Sequence, residues 1–272
     1  MQTSILNSVI NKKAVEASFS KAANHYDQFA DLQREVGYHL ISLMPNTDKD
    51  VKSILDLGCG TGYFSALFNI ENKQAHLTCF DLSTEMLKKT TERGLTRSKF
   101  VQGDIDSLPF TTNQFDLVFS NLVLQWSEQL DNCLGNIKIA LNKQGHLCFS
   151  TLLNGSLNEL QQAWKTIDNN HHINDFLTKE KVKDALQYSG FTNVCITTKT
   201  HVQKYTSVID VMRALKGIGA NHVHNGQKNR TMGRQLLSEL DKGYSPFIDS
   251  DGFYNLSYEV CYVIADSNKL GE

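Results

Sequence analysis

Long apolar runs, prolines and a secretion signal are the features that this sequence lacks most clearly. No uninterrupted apolar stretch approaches the roughly 18 residues that a membrane-spanning helix needs. The N-terminus has neither a basic start before an apolar core nor a cleavage site. With only three prolines in 272 residues, no linker divides the chain cleanly. We therefore expect a cytoplasmic protein without a membrane partner, built as one elaborated domain or as one domain with an insert.

Cysteine spacing and net charge argue against several other classes of protein. The six cysteines are scattered, with no Cys-x-x-Cys pair. We expect reduced, mostly buried thiols, and neither a disulfide framework nor a metal site. The 27 basic and 29 acidic residues leave a formal net charge of −2. A broad electrostatic surface for nucleic acid is therefore not expected.

Strands and helices alternate along most of the chain. The candidate strands are residues 53–57, 76–81, 99–103, 115–121, 146–150, 193–204 and 254–267. The helical segments between them are about 62–69, 83–93, 129–141, 156–169 and 178–189. Such alternation predicts parallel strands joined by crossovers, and hence an α/β fold with a doubly wound, mostly parallel seven-stranded sheet.

Helical patterns lie outside this alternation. Apolar residues at helical spacing over 13–44 predict one or two amphipathic helices that end at Pro45. Residues 207–242, between the last two candidate strands, are helical and basic. We divide the chain into an N-terminal helical cap (1–50), a ligand-binding core (51–204), a helical insert (205–253) and a final strand with its tail (254–272).

The strongest motif is a glycine-rich turn, ILDLGCGTG, over Ile54–Gly62. The strand carries Asp56, and the turn carries Gly58, Gly60 and Gly62. Glycine allows a positive φ and a close approach of ligand to backbone, and such a turn sits where ligands bind a doubly wound sheet. The spacing matches neither a dinucleotide motif nor a phosphate-binding loop. Asp56 would repel a pyrophosphate and suits a cationic amino-acid group.

Polar residues also end the next three strands. Asp81 lies 23 residues beyond Gly58, where its carboxylate can accept hydrogen bonds from both hydroxyls of a ribose. Asp104 follows the third strand, in position to contact an adenine amino group. Asn121 ends the fourth strand. The carboxyl ends of parallel strands share one edge, so we expect these residues in one site.

Four segments of the core resemble the landmarks of class I S-adenosylmethionine-dependent methyltransferases. They are DLGCGTG, FDLS, GDIDSLPF and FDLVFSN, in the right order and spacing within residues 53–150. The resemblance implies a Rossmann-like fold, S-adenosylmethionine as cofactor and S-adenosylhomocysteine as product. It adds Leu82 and Ile105, which follow Asp81 and Asp104, to the residues expected to bind the cofactor.

The flanking segments resemble the malonyl-[acyl-carrier protein] O-methyltransferases that begin biotin synthesis. The segments are KKAVEASFSKAANHYDQFADLQ (12–33), LVLQWSEQ (122–129), FSTLLNGSLNELQQAW (149–164) and VMRALKGIGANHV (211–223). This resemblance implies that the free carboxylate of a malonyl thioester on acyl carrier protein is methylated. Because such a carboxylate has a pKa of about 4, it is ionised at neutral pH and needs no general base.

A substrate carboxylate calls for a partner, and arginine can bind it through two parallel hydrogen bonds. Arg213 is the first choice for this catalytic role, and Lys216 is a weaker one. Arg213 could equally be a solvated arginine on a helix face. Tyr26 and Gln33 are seven residues apart, on one predicted helix face, and we expect them to reach the cofactor or the malonyl group. Tyr26 is the better candidate for positioning the carboxylate, unless it is a core aromatic residue.

The near-neutral total hides an uneven distribution of charge. Residues 199–242 hold eight basic and three acidic side chains, a net charge of +5, which leaves −7 for the rest of the chain. An acyl carrier protein is acidic, so this basic segment is a candidate docking face. Malonyl-coenzyme A is the alternative thioester. A solvated helical face that happens to be basic is the other interpretation.

Other functions share the same core motifs. A methyltransferase for a small molecule, such as a quinone precursor or a free organic acid, would have this core but no reason for a basic insert. An RNA methyltransferase is disfavoured because no RNA-binding module or aromatic–basic interleaving is present. A non-catalytic protein that binds S-adenosylmethionine is the alternative from another class.

Overall fold

A computed structural model describes residues 10–45, 51–220 and 233–268 of the chain. Its strands are β1 Ser53–Leu57, β2 His76–Asp81, β3 Ser98–Gln102, β4 Phe115–Asn121, β5 Leu141–Leu152, β6 Thr192–Tyr205 and β7 Tyr254–Asp266. Its helices are α1 Lys12–Ala22, α2 Tyr26–Phe29, α3 Asp31–Leu43, α4 Tyr63–Glu71, α5 Thr84–Thr91, α6 Leu130–Ala140, α7 Asn158–Lys165, α8 Lys179–Tyr188, α9 Val208–Gly217 and α10 Arg234–Tyr244.

The seven strands form one sheet in the order β3-β2-β1-β4-β5-β7-β6. The first five strands are parallel, whereas β7 runs antiparallel between β5 and β6. The order reverses between β1 and β4, and ligands bind doubly wound sheets at such a switch point, beyond the carboxyl ends of the strands. The predicted doubly wound, mostly parallel seven-stranded sheet is confirmed.

Apolar side chains cover both faces of the sheet, as parallel strands require. One face packs under α3, α4, α7, α9 and α10 through residues such as Val36, Phe68 and Val211. The other packs under α6 and α8 through residues such as Ile137 and Val182. All six cysteines are unpaired, and only Cys195 is exposed. No helix among the described residues is both long enough and apolar enough to cross a membrane.

The N-terminal cap consists of three helices, where the periodicity predicted one or two. The chain leaves helical geometry at His25 (φ −122°, ψ −5°) and again at Ala30 (φ −94°, ψ 29°). Neither break carries a glycine or a proline, so the sequence contains no signal for it.

The insert before the last strand is helical, as predicted, and it contacts the cap. Helix α9 ends at Gly217, and Gly219 adopts φ +72°. A Cβ atom on Gly217 would lie 2.3 Å from the ring of Phe29, at the end of α2. Only glycine therefore permits this approach between α9 and the cap. The described part of the insert stops at residue 220 and resumes at 233.

Candidate active site

The glycine-rich turn joins β1 to α4 in a conformation that requires its glycines. Gly58, Gly60 and Gly62 have φ of 76°, 56° and 78°, in the left-handed region that ordinary residues rarely adopt. A Cβ on Gly58 would lie 2.3 Å from a methyl group of Val123. At Gly60 no atom lies within 4 Å of that position. The turn is therefore packed closely against Val123 at Gly58, whereas at Gly60 it borders open space.

Asp81, at the end of β2, is bonded to this turn. One carboxylate oxygen accepts the N–H of Gly60 at 2.9 Å, and the other accepts the N–H of Ser83 at 2.8 Å. Burial raises the pKa of Asp81 to about 6, although the backbone hydrogen bonds oppose the shift. The carboxylate thus holds the turn against β2. Its remaining lone pairs can accept hydroxyl groups of a ligand.

Asp56 lies within β1 beneath the turn and is only 3% exposed. Its carboxylate accepts the hydroxyl of Ser65 on α4 at 2.5 Å. Burial raises its pKa from 3.8 to about 7, with a smaller contribution from the neighbouring charge of Asp81. A group with this pKa is only partly ionised at neutral pH, so its negative charge in the cleft is reduced.

We expect Asp56→Asn to stabilise the protein progressively more, relative to the wild type, as pH rises from 5 to 8. The folded pKa is raised, so the folded state keeps a proton that the unfolded state has released, and wild-type stability falls between about pH 4 and pH 7. At about 1.4 kcal/mol per pKa unit, the buried charge costs roughly 4 kcal/mol at pH 8. Urea denaturation of both proteins at each pH measures the difference. A difference independent of pH would contradict this assignment.

Asp104 follows β3, and its carboxylate forms an ion pair with a lysine of the cap. Lys12 of α1 lies 2.8 Å from the carboxylate of Asp104 and 2.7 Å from that of Asp106. Asp106 also accepts the N–H of Glu128 at 2.9 Å. The acid that the sequence assigns to an adenine amino group is therefore paired with a protein cation. A ligand amine at this position would have to share Asp104 with Lys12 or displace it.

Tyr26, Gln33 and Asn121 line one cleft, although not for the reason that the sequence suggested. Tyr26 begins α2 and Gln33 lies in α3, so the expectation of one continuous helix face is wrong. The Nδ2 of Asn121 donates to the backbone oxygen of Gln33 at 2.8 Å, and its Oδ1 accepts the hydroxyl of Ser150 at 2.8 Å. The bend at Ala30 is what brings both side chains over the end of β4.

The phenol group of Tyr26 keeps its proton in this cleft. Burial, together with the negative charges of Asp81 and Asp27, raises the pKa of Tyr26 far above its usual range. Its hydroxyl is therefore a hydrogen-bond donor at any physiological pH.

The buried Oε1 of Gln33 has no hydrogen-bond partner among the described residues. Such a group is costly unless a ligand or water satisfies it.

The cleft between cap and sheet edge is narrow, with a volume of about 50 Å³. It is lined by Tyr26, Asp27, Ala30, Gln33, Arg34, Asp56, Gly58, Cys59, Gly60, Thr61, Tyr63, Phe64, Phe119 and Asn121. Ligand pockets usually measure about 300 Å³ or more. The cleft in this form is therefore smaller than a nucleoside-sized ligand needs.

The remaining predicted site residues lie apart from this cleft. Arg213 lies on α9 with 69% of its side chain exposed, and it donates to Asp210 at 3.1 Å. Lys216 is exposed on the same helix. Leu82 and Ile105 lie beside Asp81 and Asp104, half-buried and buried respectively. The structure thus gathers the glycine turn, Tyr26, Gln33 and Asn121, and leaves Arg213 on the surface of the insert.

Three hydrogen bonds between the cap and the core are not predicted by any sequence motif. Asp27 of α2 accepts the hydroxyl of Thr61 at 2.6 Å and a guanidinium N–H of Arg93 at 2.8 Å. Ser20 of α1 is hydrogen-bonded to Ser83 at 2.8 Å. These partners are 34 to 66 residues apart in the chain, so no local pattern could have identified them. Within the described ranges, no cluster of three metal-ligating side chains occurs.

The fold and this site define a class I, S-adenosylmethionine-dependent methyltransferase. A family model described as a methyltransferase domain matches residues 48–209. The malonyl-[acyl-carrier protein] O-methyltransferase of Yersinia pestis is 37% identical to the chain over 253 residues, covering 93% of this chain and 91% of that protein. The chain belongs to the malonyl-[acyl-carrier protein] O-methyltransferase family.

Two further relatives bear on this family and on the fold. The biotin biosynthesis bifunctional protein BioHC of Teredinibacter turnerae is 35% identical over 93% of this chain and 46% of that protein. A solved structure of Haemonchus contortus phosphoethanolamine N-methyltransferase 2 in complex with S-adenosyl-L-methionine superposes with a TM-score of 0.53. It covers 91% of this chain and 57% of that one, at 18% identity. At that identity the likeness concerns the fold.

The residues of the cleft fit S-adenosylmethionine. The open space at Gly60 admits a ligand against the backbone. Asp81 offers acceptor oxygens to the ribose hydroxyls, and the unpartnered Oε1 of Gln33 offers one to an ammonium group. Asp104, which the sequence assigns to the adenine amino group, could accept from a ligand only by sharing its carboxylate with Lys12. The donors and acceptors match this cofactor in kind.

Proposed function

We propose that this protein transfers a methyl group to the free carboxylate of a malonyl thioester on acyl carrier protein. The product is malonyl-[acyl-carrier protein] methyl ester, at the start of biotin (pimeloyl) synthesis, and the reaction takes place in the cytoplasm. The observation that carries this proposal is the 37% identity to a malonyl-[acyl-carrier protein] O-methyltransferase over 93% of the chain. That likeness includes the cap and the insert, which lie outside the matched methyltransferase domain.

The chain's own residues bind and orient the reactants. S-adenosylmethionine supplies an electrophilic methyl group when it is bound. Asp81 accepts from the nucleoside's ribose hydroxyls beside the open backbone at Gly60, and Asn121 and Gln33 border the reacting end. Tyr26, protonated and placed over the turn, donates a hydrogen bond to the acceptor carboxylate. Because that carboxylate is already ionised at neutral pH, no residue has to remove a proton.

Positioning is therefore the main contribution of the protein to the rate. Displacement at the methyl carbon requires the carboxylate oxygen, the methyl carbon and the sulfonium in line, and correct orientation of this kind lowers barriers strongly. The cap also excludes water. In a dry site the attraction between carboxylate and sulfonium is stronger than in water.

We retain Arg213 as a partner of the malonyl carboxylate, which requires α9 to bring it to the cleft. Its present contact with Asp210 is an exposed ion pair, and such pairs contribute little to stability. We expect Arg213→Ala to lower methyl transfer at least tenfold while cofactor affinity stays unchanged. Isothermal titration with S-adenosylhomocysteine, alongside kcat/KM for the thioester, measures both. Equal losses of cofactor affinity and of methyl transfer would contradict a role of Arg213 limited to the malonyl carboxylate.

The basic segment 199–242 is the proposed docking face for the acidic carrier. Lys204 lies 2.7 Å from Asp249, and Lys199 lies 4.0 Å from Glu35. Together with the ion pair of Arg213, these two ion pairs neutralise part of the positive charge of the segment. Lys228 and Arg230 lie outside the described residues. Docking through charge predicts that added salt raises KM for malonyl-carrier protein more than KM for malonyl-coenzyme A.

A transfer assay tests the proposed function. The protein is incubated with methyl-labelled cofactor and, separately, with malonyl-acyl carrier protein, malonyl-coenzyme A and free malonate. Fastest labelling of the malonyl-carrier protein is the expected result. Labelling of free malonate alone would indicate a small-molecule methyltransferase. Cofactor binding without transfer to any acceptor would indicate a non-catalytic binding protein.

A further inference from the structure

The cleft under the cap has one cationic side chain among the described residues that line it. That side chain is Arg34, in the first turn of α3, next to Gln33. The acids in the same lining are Asp27 and Asp56. An anionic ligand group that enters this cleft therefore has one charged partner available, and it is an arginine.

Neither acid of the lining is a free negative charge. Both carboxylate oxygens of Asp27 are used, one by Thr61 and the other by Arg93. Asp56 is bonded to Ser65, and burial raises its pKa to about 7. Among the charged side chains that line the cleft, the guanidinium of Arg34 is therefore the one whose charge is least neutralised within the lining.

Arg34 is held in place but not fully used. One of its NH groups donates to the backbone oxygen of Asp27 at 2.9 Å, and Asp27 is in turn bonded to the glycine turn. The guanidinium carbon lies 5.7 Å from the centre of the Tyr63 ring, within the range of a cation–π contact. Its only carboxylate partner among the described residues is Asp31, whose side chain is 77% exposed. Such a solvated pair is easily exchanged for a ligand carboxylate.

The neighbouring Gln33 presents the complementary group. Its buried Oε1 has no partner among the described residues, and it lines the same cleft as Arg34. An α-amino-acid group carries an ammonium and a carboxylate on one carbon. The unpartnered Oε1 of Gln33 can accept a hydrogen bond from the ammonium group, and the guanidinium of Arg34 can bind the carboxylate.

We propose that Arg34 binds the carboxylate of the methionine portion of the cofactor, with Gln33 accepting from its ammonium group. The two consecutive residues thus anchor the end of S-adenosylmethionine opposite to the adenine. Because Asp27 connects Arg34 to Thr61, this anchor also couples cofactor binding to closure of the cap over the turn. The assignment depends on the methyl donor and not on the identity of the acceptor.

Binding of two ligands to Arg34→Gln tests the assignment. S-adenosylhomocysteine carries the amino-acid group, and 5′-methylthioadenosine is the nucleoside without it. A charge-assisted hydrogen bond is worth enough that we expect the affinity for S-adenosylhomocysteine to fall about tenfold to a hundredfold. The affinity for 5′-methylthioadenosine should stay unchanged, which also shows that the variant is folded. Calorimetric titration gives both constants.

Two further variants serve as controls. Arg34→Lys keeps the charge and should recover part of the lost affinity. Asp31→Asn removes the solvent-exposed partner and leaves the guanidinium, so it should bind S-adenosylhomocysteine at least as tightly as the wild type.

Three results would overturn the proposal. Unchanged affinity for both ligands in Arg34→Gln would exclude contact with the cofactor. An equal loss for both ligands would mean that Arg34 acts only through the shape of the cap. Unchanged cofactor affinity with a raised KM for the malonyl thioester would assign the guanidinium to the acceptor carboxylate instead. None of the binding measurements requires that malonyl-carrier protein be the substrate.

Discussion

Asp81→Asn is expected to weaken cofactor binding about tenfold to a hundredfold. The carboxylate accepts backbone N–H groups from Gly60 and Ser83 at the same time. An asparagine has only one acceptor oxygen, so its NH₂ group must face one of these two donors. The variant also loses the charged acceptor for the ribose hydroxyls, and hydrogen bonds to charged groups are worth about 1.5–3 kcal/mol.

The pH dependence of binding gives this prediction a second readout. Burial raises the pKa of Asp81 to about 6, so the wild type loses the ionised acceptor as pH falls below about 6. Wild-type affinity for S-adenosylhomocysteine should therefore decline between pH 7 and pH 5, whereas that of Asp81→Asn should change less over this interval. Asp184→Asn, at an exposed position on α8, is the matched control and should titrate like the wild type. If Asp81→Asn kept the wild-type affinity for S-adenosylhomocysteine at pH 7, Asp81 would not be a cofactor-binding residue.

Gly58→Ala is expected to damage the protein more than Gly60→Ala, although both glycines have a positive φ. The backbone strain is similar for the two, about 1–2 kcal/mol. At Gly58 the new Cβ also meets two methyl groups of Val123 at 2.3 and 2.5 Å, whereas at Gly60 it meets nothing within 4 Å. Overpacking of this kind adds about 1–3 kcal/mol. Gly58→Ala should therefore lose roughly 3 kcal/mol of unfolding free energy.

Urea denaturation and cofactor titration of the two glycine variants separate stability from binding. Gly60→Ala should lose only the backbone strain of about 1–2 kcal/mol but bind the cofactor weakly, because its methyl group enters the open space in front of the turn. Gly58→Ala should be destabilised even without cofactor. Equal loss of stability in the two variants would mean that Val123 moves aside and that the clash contributes nothing.

The parts of the site that lie within short stretches of chain could be predicted from the sequence. Gly58, Gly60 and Gly62 adopt the positive φ values that the motif requires, and Asp81 ends a strand whose bounds match the prediction. Periodicity and turn residues reflect local backbone physics, and each of these features depends on fewer than about ten neighbouring residues.

The parts of the site that depend on contacts between distant residues could not be predicted. Tyr26 and Gln33 line one cleft from two helices separated by the bend at Ala30, and no glycine or proline marks that bend. Lys12 reaches Asp104 across 92 positions of sequence. In the sequence Arg34 resembles any other helical arginine, whereas the structure places it in a cleft whose acids are already hydrogen-bonded to other residues.

The absence of long apolar runs, linkers and clustered cysteines, together with alternating strands and helices, was enough to determine a doubly wound α/β protein. These properties follow from the period of apolar residues and from glycine turns, which act locally. Which charges meet was decided by the tertiary structure. Arg213 pairs with Asp210 on the surface of the insert, while Arg34 enters the cleft. A guanidinium reaches several ångströms from its Cα, so its partner depends on how α3 and α9 pack.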